Sequence, residues 1–144
     1  MASSVRTRAF HHDSWRLVYD EYGTGSRPLI LVHGLLLSRK MHAPLAEELA
    51  ARGNRVICID LLGHGESDRP ADMWRYSMPQ FGGQIVALLD HLGLDEAVVA
   101  GTSLGANATL EAACQAPERL RGAIVEMPVL DNALLGCALA FTPL

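Results

Sequence analysis

The sequence is short of lysine, of cysteine and of long apolar runs, and each shortage removes a class of protein. Lys40 is the only lysine, and 12 Lys+Arg against 16 Asp+Glu leave a formal net charge of −4. With no basic stripe to attract a phosphate backbone, nucleic acid is not an expected partner. Cys58, Cys114 and Cys137 are odd in number and far apart, giving neither a disulfide framework nor the close pairs of a zinc site. The six histidines lack the His-x-x-x-His spacing of a helical metal site, so no metal or other cofactor is expected. Arg6 and Arg8 are followed by no apolar stretch, which is unlike a secretory signal. The most apolar segment, residues 132–144, is shorter than the about 20 residues that span a bilayer. These absences describe a cytoplasmic protein without a membrane span. What is present, 49% hydrophobic residues in a 144-residue chain, suffices for one domain that buries roughly two-thirds of its unfolded surface.

The apolar pattern alternates between two periods. Residues 15–22 alternate and end in Gly23-Thr24-Gly25, the pattern of a strand closed by a turn. Residues 28–32 are apolar on both faces, as in a strand buried between helices, and stop at His33-Gly34. A helix is predicted over residues 42–52, with Pro44 in its first turn and Gly53 as its stop. A second buried strand spans 55–60, where Cys58 reads as a small buried hydrophobe. Residues 61–79 are rich in Gly, Pro and charge and are too long for a simple link, which marks a functional loop. Ile85, Leu88, Leu89 and Leu92 then give helical spacing over 79–92. A strand over 97–102, an alanine-rich helix over 103–115, a strand over 120–126 and the start of another helix over 127–144 complete the order. Such alternation builds an α/β fold, a parallel sheet covered by helices on both faces.

Ligands of such sheets sit beyond the carboxyl ends of the strands, which selects His33-Gly34, Asp60, Ser103 and Glu126. Ser103 lies within Gly101-Thr102-Ser103-Leu104-Gly105, a G-x-S-x-G sequence between a strand and a helix. The spacing suits a very tight turn that exposes the serine hydroxyl, with glycines where side chains would collide. The helix start places the Leu104 N–H where developing oxyanion charge would be favoured, and Leu35, after His33-Gly34, can offer a second N–H.

With the order Trp15 strand, His33-Gly34, Asp60-Leu61-Leu62-Gly63-His64-Gly65-Glu66-Ser67 and Gly101 to Gly105, the sequence resembles the α/β-hydrolase superfamily, in its broad serine-hydrolase branch. The resemblance implies Ser103 as nucleophile, the amides of Leu35 and Leu104 as oxyanion hole, and His33 as the residue holding the oxyanion loop. His33, Gly34 and Leu36 are expected to line the substrate side. It also implies that the loop from Asp60 to Ser67 forms one wall of the active-site entrance. Serine at the elbow argues against the aspartate nucleophile of epoxide hydrolases and haloalkane dehalogenases.

A serine nucleophile needs a base and an acid to orient that base, and this fold places them after the serine. No histidine follows Ser103. Glu126, at the end of the next strand, is a possible acid, with Asp131 a weaker one. The resemblance implies about eight strands and a lid, whereas this chain reads as one partial domain, cut after about the sixth strand, with a core over 15–126 and the start of a lid over 127–144. The expected function is hydrolysis of a carboxylic ester or related acyl compound, a small-molecule substrate, through an acyl-enzyme on Ser103. The alternatives are a non-catalytic small-molecule binder of the same fold and an inactive fragment. The last strand would then present an open sheet edge able to pair with a missing C-terminal half or another chain.

Overall fold

Leu29, Ile30, Leu31 and Val32 send apolar side chains to both faces of the chain, and in the computed structural model, which describes residues 5–129, they form the central strand of a six-stranded sheet. The strands are β1 (Arg6–His12), β2 (Trp15–Tyr22), β3 (Arg27–Val32), β4 (Asn54–Ile59), β5 (Ala97–Thr102) and β6 (Leu120–Glu126), in the order β1-β2-β4-β3-β5-β6. The helices are α1 (Ala43–Ala51), α2 (Met78–His91) and α3 (Leu104–Gln115).

One face of the sheet packs Ile30, Val32, Ile57, Ile59 and Val99 against Phe81, Ile85, Leu88 and Leu89 of α2 and Ala108 and Ala112 of α3. The other face packs Leu31, Val56, Cys58 and Tyr22 against Ala46, Leu49 and Ala50 of α1. The sheet is thus covered from both sides, as its two-sided apolar strands require. Chain order also fixes where a ligand can enter. From β3 the chain crosses α1 to β4 on one side, then crosses α2 to β5 on the other. The carboxyl ends of β3 and β5 therefore flank a topological switch point, the crevice where sheets of this kind bind ligands.

The structure adds a strand that the sequence pattern conceals. Residues 6–12, to which the sequence pattern assigns no element, form β1, which pairs antiparallel with β2, and β2 pairs antiparallel with β4. The parallel part of the sheet is β4-β3-β5-β6. The signal was weak because Arg6 and Arg8 share a face with Phe10, and because the hairpin turn is Asp13-Ser14, at φ 48 and 71, where Asn-Gly is the recognisable pair. The first helix is also shorter than expected, since Arg39–His42 form a separate 3-10 turn before it. The predicted helical segment over 127–144 and Asp131 lie largely outside the described residues, as does Cys137.

Candidate active site

Gly101 and Gly105 dictate the geometry at the β5–α3 junction. A side chain at Gly101 would run into the Gly105 carbonyl, and one at Gly105 into the carbonyls of Val32 and His33. Their absence lets α3 start directly against the end of β3. Between them Ser103 is held at φ 56 and ψ −113, a left-handed conformation that a non-glycine residue adopts only when its surroundings impose it. The backbone anchors are visible: the Ser103 N–H donates to the Glu126 carbonyl at 2.9 Å, and its carbonyl accepts the Asn107 N–H at 3.1 Å. Leu104 opens α3, so its N–H has no acceptor within the helix.

Gly34 meets this elbow from β3. A Cβ at Gly34 would lie 3.7 Å from the Ser103 Cβ and 3.6 Å from the Thr102 carbonyl. The chain then turns, with the Leu37 N–H donating to the Gly34 carbonyl at 3.2 Å and Leu36 left-handed at φ 62. Leu35 and Leu36 are 60% and 88% exposed, so the turn stands at the surface beside Ser103. His33 is entirely buried. Its Nδ1 donates to the Gly34 carbonyl at 2.8 Å and its Nε2 accepts the Leu61 N–H at 3.0 Å, which fixes a neutral ring. Burial lowers its pKa to about 4. Both nitrogens being engaged, His33 ties the segment after β3 to the segment after β4 and is withdrawn from direct contact with a bound molecule.

The Asp60–Ser67 loop is built around a buried charge cluster. Asp60, wholly buried, accepts the Arg39 N–H at 2.6 Å and the Glu66 N–H at 2.9 Å, and pairs with the Arg39 guanidinium at 2.5 Å. Arg39 also meets Asp20 at 3.0 Å and Glu66 at 2.8 Å. Thr7 donates to Asp20 at 2.6 Å, extending the cluster to β1. These carboxylates raise the Arg39 pKa against the cost of burial, and Arg39 in turn holds the Glu66 carboxyl below its ordinary range. Gly65 is left-handed at φ 52, and a side chain there would strike the Asp60 carboxylate. Ser67 donates to the Asp60 carbonyl at 2.7 Å and accepts the Val18 N–H at 2.9 Å. The residue types that mark this loop in the sequence therefore hold its own shape.

Glu126 ends β6 with its Oε2 accepting the Thr102 hydroxyl at 2.8 Å, and Oε1 has no hydrogen-bond partner among the described residues. With Thr102, His42, Leu45 and Ile124 it lines a groove of about 250 Å³ beside α1. His64 is buried against His33, its Nδ1 donating to the Leu62 carbonyl at 3.1 Å. His91 ends α2, stacked on Phe10. Among the described residues no cluster of three His, Cys, Asp or Glu side chains could hold a metal, and no helix is long and apolar enough to cross a membrane.

Three structural residues escaped the sequence reading. Arg39 carried no local signal, because its partners lie at 20, 60 and 66. Gln84 had one, being a polar residue at a buried phase of α2, where its Oε1 accepts the Leu62 N–H at 2.9 Å. Asn107 had one as well, a poor helix former inside α3. It exchanges two 2.8 Å hydrogen bonds with Val129 and so directs the chain leaving β6 over the elbow helix.

The model of the alpha/beta hydrolase fold family matches residues 27–138, and the chain belongs to that family. It is 36% identical over 121 residues to the dihydrolipoyllysine-residue acetyltransferase component of an acetoin cleaving system from Pseudomonas putida, covering 81% of this chain and 30% of that one. It is 33% identical over 123 residues to 2-hydroxymuconate semialdehyde hydrolase of Pseudomonas sp. strain CF600, covering 84% and 39%. The crystal structure of an epoxide hydrolase from Vigna radiata superposes with a TM-score of 0.79 at 24% identity, over 83% of this chain and 39% of that one. The chain thus spans about a third of the length of the relatives it matches.

Proposed function

We propose that this chain carries the nucleophile and oxyanion hole of a serine hydrolase acting on a carboxylic ester or related acyl compound. The observation that carries the reading is Ser103 at φ 56 on the β5–α3 turn, with Gly34 packed beside it at the switch point of the sheet. In the proposed reaction Ser103 Oγ attacks the acyl carbon and its proton passes to a base. The amides of Leu35 and Leu104 receive the charge on the carbonyl oxygen, a contribution worth about a hundredfold in rate for each donor. Collapse expels the alcohol, and water then hydrolyses the acyl-enzyme. Exposed Leu35, Leu36 and Leu37 beside Gly34 favour an uncharged, apolar substrate. A serine at this position distinguishes the chain from the aspartate chemistry associated with epoxide hydrolases, although the fold is shared.

The base is proposed to come from polypeptide beyond this sequence, since no histidine follows Ser103 and the rings of His33, His64 and His91 are engaged elsewhere. Glu126 is the proposed acid, with one carboxylate oxygen open. The test is labelling by a fluorophosphonate. The chain extended by the coding sequence after Leu144 should be labelled, and its Ser103→Ala variant should not; absence of labelling in the extended protein overturns the enzyme reading. The 144-residue chain alone should hydrolyse p-nitrophenyl acetate at most weakly. Robust turnover lost in Ser103→Ala would place the base inside this chain.

A further inference from the structure

A second polar centre lies at the other end of the sheet. Arg6 and Arg8 stand on one face of β1, Glu21 faces them from β2, and Arg55 is the second residue of β4. The Glu21 side chain is only 6% exposed. Its Oε1 accepts the Arg55 Nε–H at 2.6 Å, whereas its Oε2 meets Arg6 and Arg8 at 3.6 Å, a Coulombic distance too long for a hydrogen bond. Among the described residues the guanidinium N–H groups of Arg6 and Arg8 reach no hydrogen-bond acceptor. The four side chains open on a cleft of about 620 Å³, also lined by Thr24 and His91.

The charge count is unusual for this molecule. Three guanidiniums share one carboxylate, leaving two positive charges uncompensated at the cleft in a chain whose net charge is −4. Like charges side by side on a strand repel, and an Arg fork is shaped to take two oxygens of one anionic group. We infer that this cleft binds a small phosphate-bearing molecule, a phosphate monoester or diphosphate whose negative charge balances the two positive charges in excess of Glu21. The site is independent of the reading of Ser103, because Arg55 and Asp60 stand at opposite ends of β4.

The test uses the 144-residue chain and inorganic pyrophosphate at fixed ionic strength. Calorimetry should show saturable binding, and Arg6→Gln and Arg8→Gln should each weaken it about tenfold, the scale of a lost hydrogen bond to a charged group. Glu21 keeps Arg55 in both variants, and circular dichroism checks that each is folded. Amide shifts in a two-dimensional NMR spectrum of the unmodified chain give a second readout that needs no variant. Shifts centred on residues 6–8, 21–25, 55 and 91 support the site. Binding no stronger than that of chloride, binding unchanged in both variants, or shifts elsewhere overturns it. Sedimentation with phosphatidylglycerol vesicles in the absence of any response to pyrophosphate would assign the arginines to a membrane surface and likewise overturn the proposal.

Discussion

Ser103 and His33 show how single residues are forced into roles that their side chains alone do not impose. The left-handed backbone at Ser103 costs on the order of 1–3 kcal/mol and persists because Gly101, Gly105 and the Glu126 carbonyl leave the turn no alternative. His33 is held neutral by burial, its pKa lowered from 6.5 to about 4. As the pH falls below about 6.5 the unfolded chain takes up a proton at this residue while the folded one does not, so stability declines between pH 6.5 and 4 and levels off below. The total loss is about 3 kcal/mol, full stability being present at pH 7. Urea unfolding at pH 7 and pH 4.5 should show this slope in the unmodified chain and a flatter one in His33→Gln, which is less stable at pH 7 but has no proton to gain. Equal slopes would mean that other groups set the acid sensitivity.

At the scale of elements, the loops after β3 and β4 behave as one unit because Asp60 binds both, through the Arg39 and Glu66 amides, and Arg39 neutralises it. Arg39→Met should destabilise the chain by about 3–5 kcal/mol by leaving buried carboxylates unpaired, with Arg39→Lys in between, as read by denaturant midpoints. A loss below about 1 kcal/mol would show the cluster to be hydrated. The elements themselves were largely legible. β5 and β6 coincide with the predicted 97–102 and 120–126 strands, and α2 falls within a residue of its predicted bounds, having a clear helical period and Gly93 beyond its end. β1 was not legible, since an edge strand with one buried side chain leaves no alternation. Arg39 was not legible either, because a charge cluster assembled from four distant segments has no spacing to recognise.

For the whole molecule, the described sheet ends at β6, where Ile124 is 57% exposed and, with Leu29, Leu31 and 48%-exposed Leu45, borders the groove beside α1. Exposed apolar surface next to a strand edge promotes association. The 144-residue chain should therefore self-associate as its concentration rises, and Ile124→Lys should weaken that association about tenfold in sedimentation velocity. Unchanged association would locate the contact elsewhere.

Local order was written in the sequence. Periodicity sets which segments are helices and strands, and the Gly-x-Ser-x-Gly spacing places a serine on a tight turn, since both depend only on neighbours along the chain. The meeting of Gly34 with Ser103, the locking of both His33 nitrogens, the Arg39 cluster and the three arginines around Glu21 were decided by the tertiary structure. Each joins residues brought together by strand order, and strand order follows from how two-sided apolar strands are buried between helices, which no local spacing records.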